Sequence, residues 1–411
     1  SGLVKLSEAP GNRHVRRARR WNIFTAFQWG ERVIGETAGT RITFWEVGTS
    51  GQREKIGTRG QERFHVNSPR TQAIVDGHEY PGIATFPVGR NLEEFVGDID
   101  IVYTWVVGSD QEWQASFEHW ADLSRDSVPA TAFDPARFRN RDELRYSLRS
   151  VWAYCGWARN IHIVTSGQVP SWLVEDERVR VVAHSEILPP EVLPTFNSHA
   201  IESALHRIEG LAEHFVYLND DVFIGRPVRP ETFFTPNGLP LVFQSNALVH
   251  GVEDAETLAV DTAALRARSL LGERFGRVVS SKPLHAPFAL RRSVIEQLVE
   301  DFPDAVQRTA ESRFRAPTDL SIAASFASHY ALGSGSAVLG DISSQYVHVE
   351  SDRLSWALDR IALGDDVDTF CINEMKDSGR VEAEREQQLR EFFDRVFPVP
   401  APWERVDGGP A

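Results

Sequence analysis

Phe215, Val216, Tyr217 and Leu218 suit a buried strand, and they run directly into Asn219, Asp220 and Asp221. In open α/β folds ligands collect at the carboxyl ends of strands. Two carboxylates placed there repel, split each other's pKa, or hold a divalent cation that bridges phosphate oxygens. Neighbours on a continuing strand point to opposite faces, so both can meet one ion only if the chain turns. The bland alternative is a polar turn that closes a strand.

Other segments offer matching chemistry. In Asp98–Asp110 the side chains of Asp100, Val102 and Thr104 alternate with those of Ile101, Tyr103 and Trp105, and Gly108-Ser109-Asp110 then turns the chain. Such a segment offers a carboxylate, aromatic faces on which a nucleotide base can stack, and backbone amides near a ligand. Arg141, Arg145 and Arg149 follow at i, i+4 and i+8, one helical stripe of guanidinium forks suited to phosphate oxygens. Glu202 and His206 stand one helical turn apart just upstream of the carboxylates, with Arg207 next to them. Lys282 and His285 lie in a loop stiffened by Pro283 and Pro287, where an imidazole can move a proton near neutral pH. Arg315 precedes Pro317, and Asn373 ends the apolar stretch Phe370-Cys371-Ile372. Each residue taken singly has a structural reading: core aromatic, surface charge, or satisfied histidine.

The elements that must position these groups are legible as patterns. Asp100–Val106, Ile161–Thr165 and Arg178–Val182 read as strands, and Arg141–Trp152 reads as a helix with Leu144, Leu148 and Val151 on one face. Asn197-Ser198 caps a helix expected to run to about Leu211; Ser293–Asp301, Thr318–Tyr330 and Glu382–Phe397 are further helices. Strands alternating with helices predict a mostly parallel sheet covered by helices. Before Gly97 the composition differs. A basic run over residues 12–20 precedes short strand-like pieces, Arg41–Val47, Ala73–Val75 and Gly82–Phe86, between glycine-rich turns. A small β-rich module over residues 1–97 and an α/β catalytic domain over 98–411 are therefore expected, with Gly333–Ser336 as a flexible turn.

The 411 residues carry a formal net charge of −14, which argues against general nucleic-acid binding and obliges a phosphate-bearing substrate to find a local cationic patch. Cys155 and Cys371 are the only cysteines, too few for a disulfide framework or a thiolate zinc site. No apolar run is long enough for a membrane span. The expected location is the cytoplasm, including the periphery of the inner membrane face.

Taken in order, these segments resemble the Stealth family of sugar-1-phosphate transferases, which includes bacterial capsular and exopolysaccharide phosphotransferases. Asp98–Asp110 resembles its first block. Leu144–Ser150, Asn160–Thr165, Leu193–Ser198, His206–Leu211 and Tyr217–Asp221 resemble the second, His285 through Asp319 the third, and Cys371–Asn373 with the final helix the fourth. Glu374 stands where an aspartate is commoner. The resemblance implies a Rossmann-like, glycosyltransferase-A-like α/β fold. It implies transfer of a hexose- or N-acetylhexosamine-1-phosphate from a UDP-sugar such as UDP-N-acetylglucosamine to a glycan hydroxyl, with release of UMP. By position it marks Asp221, His285, Arg315 and Glu202 as catalytic. It places Asp221, with Asp100 or Asp220 assisting, at Mg²⁺ or Mn²⁺, and leaves open whether Asp221 or His285 is the base. Tyr103, Thr104, Trp105, Gly108, Arg145, Asn197, His206, Arg207, Lys282 and Asn373 are the expected substrate contacts. Competing readings are a metal-dependent glycosyltransferase that releases UDP, a phosphatase using Asp98 and Asp100, and a non-catalytic glycan-binding relative.

Overall fold

A computed structural model describes residues 91–249, 259–363, 367–374 and 383–405, together with strands within residues 20–83. The chain divides into two compact units, Ser1–Leu92 and Glu93–Ala411. In the first, Arg20–Ile23 pairs with Thr40–Thr43, Gln52–Gly57 with Gly60–His65, and Arg70–Val75 with His78–Ile83, all antiparallel. Apart from Arg20, the basic run lies outside the described residues, as do residues 84–86.

The second unit begins with β1 (Ile99–Thr104), α1 (Gln111–Ser124), α2 (Glu143–Tyr154), β2 (Ile161–Thr165), β3 (Val179–Ala183), α3 (Ser198–Glu202) and β4 (His214–Asn219). It continues through β5 (Val222–Ile224), β6 (Ser281–Pro283), β7 (Phe288–Arg291), α4 (Ala327–Ser334), β8 (Ser344–His348), β9 (Thr369–Asn373) and α5 (Ala383–Val396). The central sheet has the order β3-β2-β1-β4-β7, parallel throughout except for β7, which runs against β4. This is the expected α/β, Rossmann-like, mostly parallel arrangement. β5 leaves the sheet to pair antiparallel with β9, which in turn pairs parallel with β8.

The sequence produces this order through burial. All five residues of β2, and Phe215–Leu218 of β4, are buried, so both faces of the sheet must be covered. Each large apolar side chain so enclosed contributes about 1.5–3 kcal/mol. A second, aromatic cluster joins Trp113 and Phe117 of α1 to Phe138, Phe196 and Phe314, with Phe196 and Phe314 stacked at 5.2 Å. Because Phe314 and Phe196 each adjoin a residue of interest, Arg315 and Asn197, this cluster fixes the backbone that carries them.

Two expectations about local structure are corrected. The helix beginning at Ser198 ends at Glu202, and a separate 3₁₀ turn spans Leu205–Arg207. At the break the Ser203 hydroxyl donates to the Ala200 carbonyl, and Ala204 adopts φ −117°, outside the helical range. Glu202 and His206 therefore do not share a helical face. The Gly333–Ser336 segment is the end of α4 rather than a free hinge, with Gly335 at φ 77° closing the helix in the left-handed conformation.

The last described segment ties back onto α2. Glu404, with its carboxylate fully enclosed, accepts from Arg145 Nε at 2.6 Å and from Arg149 Nε at 2.7 Å, while Arg149 also donates to the Phe397 carbonyl. Trp403 is buried beside it, and its carbonyl accepts from the Val174 amide.

Candidate active site

Asp220 and Asp221 form the turn between β4 and β5, so the chain bends where the paired carboxylates require it. β5 pairs with β9 in a register that sets Val222 opposite Cys371, and the Ile372 amide donates to the Asp221 carbonyl at 3.0 Å. On its inner side the Asp221 carboxylate accepts from Asn373 Nδ2 at 2.9 Å and from the Cys371 thiol at 3.4 Å, both through Oδ2. Its Oδ1 faces His285 Nε2 across 3.8 Å, too far for a hydrogen bond, and both atoms are buried without a partner among the described residues.

The environment splits the two carboxyls. Burial opposes ionisation of Asp221, but the His285 imidazole, then Asn373 and Cys371, outweigh it and hold the group below its usual value. Asp220 is pushed well above its usual value by burial, then by Asp221 and Glu143. Glu143, at the start of α2, is itself raised by burial, and Asp221 adds to the effect. A pair driven apart in this way is the electrostatic mark of a cation site or of an acid and a base with separate tasks.

Arg315 sits on a pinned loop. Asn197 Nδ2 donates to the carbonyls of Ser312 and Phe314 and, at 2.8 Å, to Asp319 Oδ2, which also accepts the Ala316 amide. Arg315 Nη2 donates to Ser198 Oγ at 2.8 Å, while its buried Nε has no partner among the described residues. Glu202, the last residue of α3, accepts the Ala323 and Ala324 amides at 3.1 and 3.3 Å, in the helical turn Ile322–Phe326 that leads into α4. Burial raises its carboxyl to about 7, against those two amides and the charge of Arg315. Tyr217 links the two halves of the site. Its phenol is pushed well up by burial, then by Glu202, and it feels Asp220 and Arg315 as well, while Thr104 bonds it at 3.0 Å. Asp220, Asp221, His285 and Asn373 thus gather at the β4–β5 turn, while Glu202 and Arg315 act on the same Tyr217 that feels Asp220 and bonds Thr104. Lys282 is half-buried in β6, three residues before His285.

Several expected residues stand elsewhere. Asp100 lies near the amino end of β1, opposite Phe215, whereas the carboxylate pair follows Asn219 at the other end of the neighbouring strand. Both its oxygens are engaged: Arg159 donates to each at 2.9 and 2.6 Å, and the Asn160 and Ala212 amides add to them. It is a structural anchor and not a metal ligand. Tyr103 is wholly enclosed and bonded to Ser147 Oγ at 2.7 Å, and Trp105 is 6% exposed, so neither ring face is open to a base. The Gly108 amide donates to the Phe138 carbonyl rather than to a ligand, and a Cβ there would come within 2.6 Å of that oxygen. Arg145 is taken by Glu404, and Arg141 by Glu374, which Arg139 also grips. Asn197 is fully buried and positions the Arg315 loop instead of touching substrate. His206 neighbours Arg207 and Arg292, and Arg292 follows the residue paired with His214 at the amino end of β4.

Sequence reasoning passed over Glu143 as a chemical group and did not single out Cys371 or Tyr346. Ligand atoms of Asp221, His285 and Cys371 all lie within 4.8 Å of one another. The donor chemistry sorts them. A buried thiol whose pKa is pushed well up by burial and by Asp221 donates a hydrogen bond rather than binding as thiolate, whereas hard Mg²⁺ or Mn²⁺ prefers carboxylate oxygens. The unpartnered Asp221 Oδ1 fits such an ion.

Four family descriptions match the chain: Stealth protein conserved region 1 over residues 97–118, region 2 over 137–242, region 3 over 284–332 and region 4 over 361–410. The exopolysaccharide phosphotransferase CpsY of Mycobacterium tuberculosis is 38% identical over 406 residues, which is 98% of this chain and 75% of the relative. The chain belongs to the Stealth family. Within that family an exopolysaccharide phosphotransferase of Streptomyces coelicolor is 43% identical over 334 residues, 80% of this chain. The chain spans 61% of that relative's own length. Among solved structures, the galactosyltransferase LgtC aligns over 74% of this chain and 98% of its own, at 12% identity and a TM-score of 0.32. Asp221 falls within the second Stealth region, His285 and Arg315 within the third, and Asn373 within the fourth.

Proposed function

We propose that this Stealth-family chain transfers a sugar-1-phosphate from a UDP-sugar, with UDP-N-acetylglucosamine the first candidate, to a hydroxyl of an acceptor glycan in exopolysaccharide synthesis. The observation that carries the reading is the opposed pair Asp221 Oδ1 and His285 Nε2, neither with a hydrogen-bond partner among the described residues, at the carboxyl end of β4. In the reaction an acceptor oxygen attacks the sugar-bearing phosphorus. A new O–P bond forms, the P–O bond to the uridylyl phosphate breaks, UMP departs, and the acceptor proton passes to the imidazole of His285. The charge of Asp221 steadies the imidazolium that results. Arg315, a bidentate donor tied to Ser198, neutralises charge on the phosphoryl oxygens. Asp221 and Asp220 would hold Mg²⁺ or Mn²⁺, which when bound neutralises diphosphate charge. Glu202, near neutrality in its ionisation, tunes the field around Arg315 and Tyr217.

The deciding experiment incubates the protein with UDP- and GDP-sugars, candidate saccharides, and Mg²⁺, Mn²⁺ or EDTA, and identifies the released nucleotide by mass. UMP together with a sugar-phosphate diester is the expected result. UDP would mean glycosyl transfer and would overturn the reading, as would the absence of any nucleotide release.

A further inference from the structure

Tyr346 lies in β8, and its register partner in the parallel ladder is Cys371 of β9, whose thiol bonds Asp221. Its ring makes T-shaped contacts with the His285 imidazole, centroids 5.5 Å apart, and with His348 at 4.8 Å. Yet 41% of the residue is exposed, where the aromatic rings stacked around Phe223 and Phe370 are fully enclosed. An aromatic ring partly open to solvent beside a candidate general base is well suited to a ring-shaped amphipathic ligand. The phenol is neutral at physiological pH, so the side chain offers a face and a hydroxyl rather than a charge.

We infer that Tyr346 is the platform on which the acceptor saccharide ring stacks, setting one sugar hydroxyl in line with His285 Nε2. The inference rests on the proposed transfer reaction and adds to it the acceptor subsite. The apolar C–H face of a pyranose lies against the tyrosine ring, while its polar edge points to the two unpartnered atoms, Asp221 Oδ1 and His285 Nε2. Tyr346 lies between the third and fourth Stealth regions, which end at residue 332 and begin at residue 361. The acceptor platform is thus supplied by a segment outside the family's shared blocks, as suits a residue that sets which glycan is used.

The test has a binding arm that does not depend on turnover. Saturation-transfer NMR on the full chain with D-mannose, D-galactose, N-acetylglucosamine and maltose should show transfer to at least one saccharide. That signal should fall at least tenfold in Tyr346→Ala and be retained in Tyr346→Phe and Tyr346→Trp. In the kinetic arm, with whichever acceptor supports nucleotide release, Tyr346→Ala should raise the acceptor KM at least tenfold and the donor KM less than twofold. Equal saccharide signals in wild type and Tyr346→Ala, no signal in either, or an unchanged acceptor KM would each overturn the platform. Release of UDP, or of no nucleotide, with saccharide binding still dependent on Tyr346 would instead overturn the transfer reaction and leave the subsite standing.

Discussion

Asp221 and His285 face each other across 3.8 Å without a hydrogen bond, although the opposite oxygen of the same carboxylate is bonded by Asn373 and Cys371. The carboxylate is thus gripped from behind by β9 while its front oxygen stays open toward the imidazole. At that separation the two groups attract as charges but share no proton.

Asp221→Asn keeps the side-chain shape and an oxygen able to accept from Asn373, yet removes the charge. His285→Ala removes the base. Each should lower turnover by about 10²–10⁴-fold, with circular dichroism and melting curves close to wild type. Turnover within tenfold of wild type in both variants would place the chemistry elsewhere.

Arg315 is held by one bond to Ser198 and by the Asn197–Asp319 brace of its loop. A lysine cannot present two parallel donors to a phosphoryl group. Arg315→Lys should lower kcat by about 10²-fold, in the range seen when one preorganised donor is lost, and Ser198→Ala should lower it less. A kcat equal to wild type in Arg315→Lys would make this arginine peripheral.

Burial raises Glu202 from its ordinary 4.5 to about 7 in the fold. The folded state therefore favours the protonated form. That contribution is complete below about 4.5 and is lost as pH rises through about 7. Glu202→Gln is neutral at every pH and should gain stability relative to wild type across that window, by up to about 3 kcal/mol at 1.36 kcal/mol per unit. Urea midpoints measured from pH 4 to pH 8 would show it; parallel curves for the two proteins would contradict it.

Asp100 behaves in the opposite sense. Burial works against its charge, but His162, Arg159 and the Ala212 amide prevail and hold it at about 2 instead of 3.8. The resulting stability is present above 3.8 and is lost as pH falls through about 2. Asp100→Ala should cost about 1–3 kcal/mol, because it leaves the buried Ala212 amide without its acceptor, while the affinity for Mn²⁺ titrated calorimetrically stays within twofold. A tenfold loss of Mn²⁺ affinity would return Asp100 to the metal site.

Much of the scaffold was legible from local pattern. The apolar runs at Ile161–Thr165 and His214–Asn219 became sheet strands, and the stripe Leu144, Leu148 and Val151 became the buried face of α2. What failed was information carried by distant partners. The arginine stripe had the right spacing for phosphate, but Glu374 and Glu404, more than two hundred positions away in sequence, already take Arg141, Arg145 and Arg149. Asp100 and Asp221 look alike beside their strands, and only the pairing register shows that they lie at opposite ends. Tyr346 carried no local signal, since its relation to His285 arises from the β8–β9 ladder.

The Glu404 tie has a consequence for how the molecule is made. Arg149 is almost fully enclosed, and its carboxylate partner stands 255 positions later in the sequence. During synthesis α2 emerges long before residue 404 leaves the ribosome, so its cationic face must wait, hydrated or chaperoned, until that residue is available. The α2 helix can reach its final packing only once Glu404 has been made, so this part of the fold closes after the strands between them.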